Sequence, residues 1–273
     1  MTSSDTSNHS SRLRALVAGA AVVVALIPIL VGVLLNGSGS GAASTTASKA
    51  AAAKLFVPVA AKQPPVVPSR LLPPGRGALV AEVLHGTEMR SKPGGGRLIT
   101  KVATHTQFGS TQSFWVVRLS GSWLGVISSL IGNNRVGWVP ASAASLSRVN
   151  WELKASLSKR QLTVVHNGRP MAHYSIAVGA ASAPTPTGRF AVTDRLRTGD
   201  AAGPYGCCVL ALSALAPHAI QDWSGGNRIA IHSTPETDSI GKAVSHGCMR
   251  LTLPEGRWLL AHIPLGTPTL VST

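Results

Sequence analysis

Hydrophobic and polar residues alternate in short runs through residues 78–273, and Gly, Pro and Asn turns separate these runs. Runs of this length and pattern predict β-strands, and the step from His166 to Gly168 has the sequence of a tight hairpin turn. Only residues 255–263 (EGRWLLAHI) have the pattern of a helix. The predicted fold is mainly β, with one β domain over residues 78–147 and a second over residues 149–273.

A different pattern precedes these domains, because residues 15–35 form 21 consecutive positions without a charge. At about 1.5 Å per residue, a helix of this length crosses roughly 30 Å of hydrocarbon. Arg12 and Arg14 precede the run, which predicts residues 1–14 in the cytoplasm and the rest of the chain outside the cell membrane. A cleaved secretory signal is disfavoured, since its apolar core is usually about 7 to 15 residues long.

Between the predicted membrane helix and the first β domain, residues 36–77 are rich first in Gly, Ser and Ala and then in Pro. Gly/Ser-rich chains are flexible, and Pro-rich chains are extended. We therefore expect a disordered stalk that holds the β domains away from the bilayer.

The charge is strongly positive, with 25 Lys and Arg against 10 Asp and Glu and a net charge of +15. Such a chain attracts polyanions, and the anionic polymers of a cell envelope fit an exported protein. Nucleic acid is disfavoured, because the basic residues are scattered and form no basic run with interleaved aromatic residues. The sequence also contains no Gly-rich phosphate-binding loop.

Reactive side chains are concentrated in residues 245–250 (SHGCMR). A thiol such as that of Cys248 becomes a nucleophile when an imidazole takes its proton and backbone N–H groups stabilise the oxyanion. His246 is two positions away, and His232 ends an apolar run that predicts a separate strand. Either imidazole could reach the sulfur.

A metal site is the alternative for these side chains. Zinc could be bound by His232, His246 and Cys248 with Cys207 or His218, but their spacing is not the Cys-x₂-Cys spacing typical of zinc sites. We therefore expect no metal and no cofactor.

Two families resemble the two β domains. Residues 78–147 loosely resemble bacterial SH3-like β-barrels, through the segments 90–95 (RSKPGG), 121–126 (GSWLGV) and 137–139 (GWV). Residues 149–272 resemble the L,D-transpeptidases with a YkuD-type catalytic domain, whose fold is a β-sandwich. The motifs that carry this second resemblance are 178–179 (VG), 184–190 (PTPTGRF), 203–206 (GPYG), 210–213 (LALS), 231–233 (IHS) and 245–250 (SHGCMR).

The resemblance to L,D-transpeptidases implies roles for particular residues. It makes Cys248 the nucleophile and His232 the general acid and base, with the backbone carbonyl of Ser233 orienting the imidazole. The oxyanion hole would consist of the N–H groups of Gly247 and Cys248, with help from Tyr205. The residues implied to bind substrate are His246, Arg250 and Tyr205.

The implied function is peptidoglycan crosslinking at the outer side of the cell membrane. Cys248 would form a thioester with a tetrapeptide stem, release D-alanine and transfer the acyl group to a diamino-acid side chain of a second stem, giving 3→3 crosslinks. Transfer to water, which would make a carboxypeptidase, and attachment of a protein to the wall use the same thioester. A wall-binding module without catalysis is a further alternative.

Two groups of residues have open structural roles. Trp115, Trp123 and Trp138 could line a groove for peptide or glycan, but tryptophans in so small a domain are more often core, and we expect them there. The adjacent Cys207 and Cys208 could form a strained disulfide, provide a second thiol or pack as small side chains, and packing is the expectation.

Overall fold

The computed structural model describes residues 77–217 and 226–273, and these residues contain seventeen strands and a single α-helix. The mainly β prediction is therefore confirmed for this part of the chain. The predicted membrane helix at 15–35 and nearly all of the predicted stalk lie outside the described residues, as does His218. Among the residues that the structure describes, no helix is both long enough and apolar enough to span a bilayer.

The first part of the described chain forms a seven-stranded antiparallel sheet, here called the N-terminal sheet, with the strand order β3-β2-β6-β5-β4-β1-β7. Its strands are β1 (Ala78–Val83), β2 (Thr87–Arg90), β3 (Leu98–Val102), β4 (Ser113–Ser120), β5 (Trp123–Ile127), β6 (Gly137–Pro140) and β7 (Ala144–Val149). Short 3₁₀ turns occur at Ser129–Ile131 and Ala141–Ala143. The sheet extends to Val149, two residues beyond the predicted domain end at residue 147.

The three tryptophans of this sheet are not in its core, which corrects the sequence-based expectation. Trp115, Trp123 and Trp138 are only half-buried. The core contains instead the residue next to each of them, namely Phe114, Leu124 and Val139. Successive side chains of a strand point to opposite faces, so only one of each apolar pair can face inward.

The second part forms an eight-stranded mixed sheet, here called the C-terminal sheet, with the order β10-β9-β8-β17-β12-β13-β14-β16. Its strands are β8 (Trp151–Ser156), β9 (Gln161–His166), β10 (Arg169–Ser175), β12 (Gly188–Arg197), β13 (Cys208–Leu215), β14 (Arg228–Ser233), β16 (Met249–Leu251) and β17 (Pro268–Ser272). Two further strands, β11 (Val178–Gly179) and β15 (Ala243–Ser245), pair with each other as a separate two-stranded parallel sheet. A 3₁₀ turn spans Thr237–Ser239.

Two local predictions for the second domain are confirmed. The hairpin between β9 and β10 turns at Asn167 and Gly168, both of which have positive φ, as a two-residue hairpin requires. The helix, α1, spans Leu253–His262, close to the predicted 255–263. It begins at a capping box in which the Glu255 carboxylate accepts a hydrogen bond from the backbone N–H of Thr252 at 2.9 Å.

The two sheets have separate hydrophobic cores but belong to one compact unit. Asn133 and Asn134 of the N-terminal sheet hydrogen-bond backbone groups of the C-terminal sheet. Asn133 bonds both the carbonyl and the N–H of Leu215, at 2.7 and 2.8 Å. Thr106 donates to the buried carboxylate of Asp194. The N-terminal sheet therefore supports the hairpin of β12 and β13, which lies next to β14.

Candidate active site

The candidate site lies where β14 and β16 run side by side. The two strands are parallel, with Ile231 opposite Met249 and His232 opposite Arg250. Cys248 directly precedes β16 and so comes one step before Met249 in this register. Partners and residues two apart share a face of a sheet, so the side chains of His232, Arg250 and Cys248 are on the same face.

His232 is held in one tautomer by the backbone. Its side chain is buried, and its Nδ1 lies 2.8 Å from the carbonyl oxygen of Ser233. A carbonyl oxygen only accepts hydrogen bonds, so Nδ1 carries the proton and Nε2 is left with a lone pair. The ring of Tyr205 packs edge-on against the imidazole, with 4.9 Å between ring centroids.

Burial keeps both the imidazole and the thiol uncharged at neutral pH. Desolvation lowers the pKa of His232 to about 4, although the hydrogen bond to Ser233 opposes this shift. Desolvation raises the pKa of Cys248 to about 11, although a hydrogen bond with the backbone of Ala230 opposes this shift. The positive charge of Arg250 lowers the pKa of both groups, so both lie within its electrostatic range.

The turn that carries Cys248 is braced by two hydroxyl groups. Ser245 Oγ donates to the carbonyl of Cys248 at 2.6 Å and accepts from the N–H of Gly247 at 3.1 Å. Thr185 Oγ1 donates to the carbonyl of Gly247 at 2.8 Å. Because the N–H of Gly247 is already bonded to Ser245, we do not include it among the oxyanion donors proposed below.

Gly247 has a conformation that other residues rarely adopt. Its φ is +111°, and a Cβ at this position would lie 2.8 Å from Cδ1 of Ile229. The backbone angle favours glycine, and an added Cβ would also force the end of the Ile229 side chain to shift. The glycine therefore allows the turn to place Cys248 at the start of β16.

Arg250 and His246 lie towards the outside of the site. The guanidinium of Arg250 pairs with the exposed carboxylate of Glu236 at 3.0 Å, and its buried Nε has no hydrogen-bond partner among the described residues. His246 is exposed.

Cys207 and Cys208 are joined as a disulfide, so the expectation of simple packing is corrected. Cys208 is nevertheless buried in the core of the C-terminal sheet. Cys207 Sγ lies 3.4 Å from the hydroxyl of Ser233, which also accepts from the N–H of Cys208 at 3.2 Å. The pair thus contacts the residue whose carbonyl orients His232, and Cys248 is the free thiol of the described chain.

Sequence reasoning missed two contributors to this site. Thr185 was recognised only as part of a motif, and its bond to Gly247 spans 62 residues. Glu236 forms an ion pair with Arg250, which lies 14 positions away, and nothing in the local sequence pairs the two residues. For the metal alternative, the described ranges contain no group of three His, Cys, Asp or Glu residues arranged to hold an ion.

Comparison with known proteins gives concordant matches. The family model of the YkuD L,D-transpeptidase catalytic domain matches residues 150–271. The YkuD protein of Bacillus subtilis (strain 168), named as an L,D-transpeptidase, is 33% identical over 124 residues, which cover 45% of this chain and 67% of that protein. The similarly named YqjB of the same organism is 29% identical over 122 residues, covering 41% of this chain and 65% of that protein. The matched segment thus spans about two thirds of each relative.

Solved structures give a weaker likeness. An L,D-transpeptidase from Mycobacterium tuberculosis H37Rv superposes with a TM-score of 0.38 at 22% identity, covering 50% of this chain and 72% of that one. At these values the superposition adds nothing to the sequence matches.

Proposed function

Because the chain belongs to the L,D-transpeptidase family with a YkuD catalytic domain, we propose that it is a peptidoglycan acyltransferase with Cys248 as its nucleophile. The observation that carries this proposal is the 2.8 Å contact between His232 Nδ1 and the Ser233 carbonyl. That contact leaves Nε2 of a neutral imidazole as a proton acceptor on the same face as the thiol.

In the first half-reaction, the thiol of Cys248 loses its proton to Nε2 of His232, and the sulfur attacks the carbonyl carbon between the third residue and the terminal D-alanine of a tetrapeptide stem. The oxyanion that forms accepts hydrogen bonds from the Cys248 N–H and from the hydroxyl of Tyr205. The carbon–nitrogen bond then breaks, and the imidazolium returns its proton to the leaving amine. The products are a thioester and free D-alanine.

In the second half-reaction, the side-chain amine of the diamino acid in another stem attacks the thioester. His232 accepts a proton from this amine and returns it to the sulfur as the carbon–sulfur bond breaks. The new amide joins the third residues of two stems, which is a 3→3 crosslink. Arg250 and His246 are proposed to bind the stem, since a guanidinium pairs well with a carboxylate.

The setting of this reaction is also a proposal. The apolar run at 15–35 and the stalk at 36–77 would hold the site outside the cell membrane, where a polymeric substrate is found. A net charge of +15 would favour contact with anionic wall polymers.

The proposal is tested by incubating the purified full chain with tetrapeptide muropeptides and analysing the products by mass spectrometry. We expect dimers and released D-alanine from the wild type, and neither from Cys248→Ala. Loss of the base in His232→Ala should reduce the rate by roughly 10²- to 10⁴-fold. His173→Ala is the matched control, because His173 is an exposed imidazole on β10, and it should react like the wild type.

Dimers formed by Cys248→Ala would refute the nucleophile, and His173→Ala as slow as His232→Ala would refute the base. A wild type that yields only the tripeptide would show that water is the acceptor and would refute the transfer step.

A further inference from the structure

Two cavities that share lining residues lie at the boundary between the N-terminal and C-terminal sheets. They have volumes of about 330 and 520 Å³, and both are lined by Val149, Asn150 and Trp151. Clefts of this size are typical of binding sites for small molecules. Trp151 begins β8, which is four strand positions from β14, or roughly 19 Å at the usual strand spacing. Neither cavity is lined by Cys248 or His232, so this cleft is separate from the thiol and the imidazole.

Each sheet contributes one indole ring to the smaller cavity, Trp115 from β4 and Trp151 from β8. Trp115 lies outside the hydrophobic core of its sheet, whereas Trp151 is partly buried and packs against the core of the C-terminal sheet. Each indole also contacts a planar cation or an imidazole. The guanidinium of Arg189 lies 4.6 Å from the centre of the Trp115 ring. The imidazole of His166 stacks on Trp151 at 4.0 Å. Two oriented aromatic rings thus border one cleft.

Polar groups of both hydrogen-bonding kinds surround these rings. The side-chain amide of Asn150 is exposed beside both cavities. The larger cavity adds the carboxylate of Glu82 and the guanidinium groups of Arg148 and Arg195, and the smaller adds the carboxylate of Glu152. Carboxylates and guanidinium groups are thus balanced over the two cavities, so the lining does not select a ligand of one charge.

This combination selects one class of ligand. The C–H groups on one face of a pyranose ring pack against an aromatic ring, while the hydroxyl and amide groups at its edge need donors and acceptors around it. A nucleotide would require a surplus of cations for its phosphates, and a lipid would require an apolar lining. We propose that this cleft, between Trp115 and Trp151, binds a saccharide chain of N-acetylated hexosamines.

The choice of amino sugar rests on the proposed function, since such sugars form the glycan that carries the stem peptides. Binding of the glycan at the sheet boundary would keep the polymer on the enzyme while its stems enter the site beside β14. The N-terminal sheet would then contribute Trp115 directly to substrate capture.

The test is calorimetric titration of the purified full chain with chitotetraose, a tetramer of N-acetylglucosamine. We expect binding by the wild type and at least a tenfold loss of affinity in Trp115→Ala. Trp138→Ala is the matched control, because Trp138 is a half-buried indole of the same sheet that lines neither cavity, and its affinity should be unchanged. Asn150→Ala should weaken binding severalfold. Because the Asn150 side chain is exposed, its removal should not disturb the fold, and the loss of affinity would then reflect the loss of a contact with the sugar.

Absence of wild-type binding, equal affinity of Trp115→Ala and the wild type, or an equal loss in Trp138→Ala would overturn the inference. Displacement of the sugar by a stem peptide that carries no sugar would also overturn it, because the cleft would then be a peptide site. Cys248→Ala should bind chitotetraose like the wild type. This measurement therefore separates failure of the cleft from failure of the proposed catalysis.

Discussion

The resting state of the candidate site is an uncharged pair. With a pKa of about 4 for His232 and about 11 for Cys248, the thiol keeps its proton and the imidazole its lone pair at neutral pH. A permanent thiolate–imidazolium pair would require the opposite shifts. In the proposed reaction, the thiol would therefore be activated only when a substrate carbonyl is present to accept the sulfur, and Nε2 would take the proton in that step.

In the turn that carries Cys248, replacement of Gly247 should lower the stability of the fold. Its positive φ is unfavourable for other residues, and an added Cβ would press against the end of the Ile229 side chain. We expect Gly247→Ala to lower the free energy of unfolding by about 2 to 4 kcal/mol, from backbone strain and the contact with Ile229. Gly168→Ala is the control, since Gly168 has φ of +77° with open space around its Cβ position. That variant should lose only about 1 kcal/mol, measured by urea unfolding.

The contact contribution can be isolated with Ile229→Val, which removes the Cδ1 atom that lies 2.8 Å from the added Cβ. In a double-mutant cycle, Gly247→Ala should cost less in the Ile229→Val background than in the wild type. Equal costs in the two backgrounds would show that the contact is relieved in another way and that only the backbone angle matters.

Among the elements, β14 shows how polar residues can be placed on a buried strand. All six of its residues are buried, including Arg228 at one end and His232 at the other. Arg228 donates to the carbonyl of Leu212 at 2.9 Å and lies 3.6 Å from the fully buried carboxylate of Asp194. Each polar side chain has a partner, so the strand holds His232 in a dry environment without an unpaired charge.

Asn133 is expected to connect the N-terminal sheet to β13. Its amide makes two hydrogen bonds to Leu215, so Asn133→Ala leaves a carbonyl and an N–H without these partners. We expect a loss of about 2 to 4 kcal/mol in the free energy of unfolding and faster hydrogen exchange at the Leu215 amide. Asn134→Ala is the control, because Asn134 makes comparable bonds on an exposed surface and should cost less than about 1 kcal/mol.

Equal losses in the two variants, or unchanged exchange at Leu215, would contradict a specific connection through Asn133. The exchange measurement is needed because general destabilisation would affect many amides, whereas loss of this contact acts first at the end of β13.

The sequence predicted elements better than it predicted contacts between them. Local patterns were sufficient for the hairpin at Asn167 and for α1, whose signals lie within a few residues. The hydrogen bonds of Thr106 to Asp194 and of Asn133 to Leu215 join residues 88 and 82 positions apart, and no local pattern specifies them. The half-buried position of Trp115 was missed for a related reason, since Phe114 beside it is equally apolar and strand alternation does not say which of the two faces the core.

For the molecule as a whole, the opposite shifts of His232 and Cys248 predict a limited pH range of full stability. Below about pH 6.5 the unfolded chain binds a proton at His232 that the folded chain does not, so stability falls as the pH drops towards 4. Above about pH 9 the unfolded chain releases a proton from Cys248 that the folded chain keeps, so stability falls as the pH rises towards 11. Each loss should amount to about 3 kcal/mol.

Denaturant unfolding of the wild type, His232→Gln and Cys248→Ala across this pH range tests the prediction. His232→Gln should remove the acid-side loss that belongs to the imidazole, and Cys248→Ala should remove the alkaline loss while keeping the acid one. Using differences between variants cancels the effects of the other titrating groups. Cys248→Ala could instead lose stability relative to the wild type as the pH rises through 7. That result would mean that the wild-type thiol is ionised in the folded state, because only a lowered thiol pKa stabilises the wild type in this range. The resting site would then be an ion pair, and proton transfer to His232 would precede substrate binding.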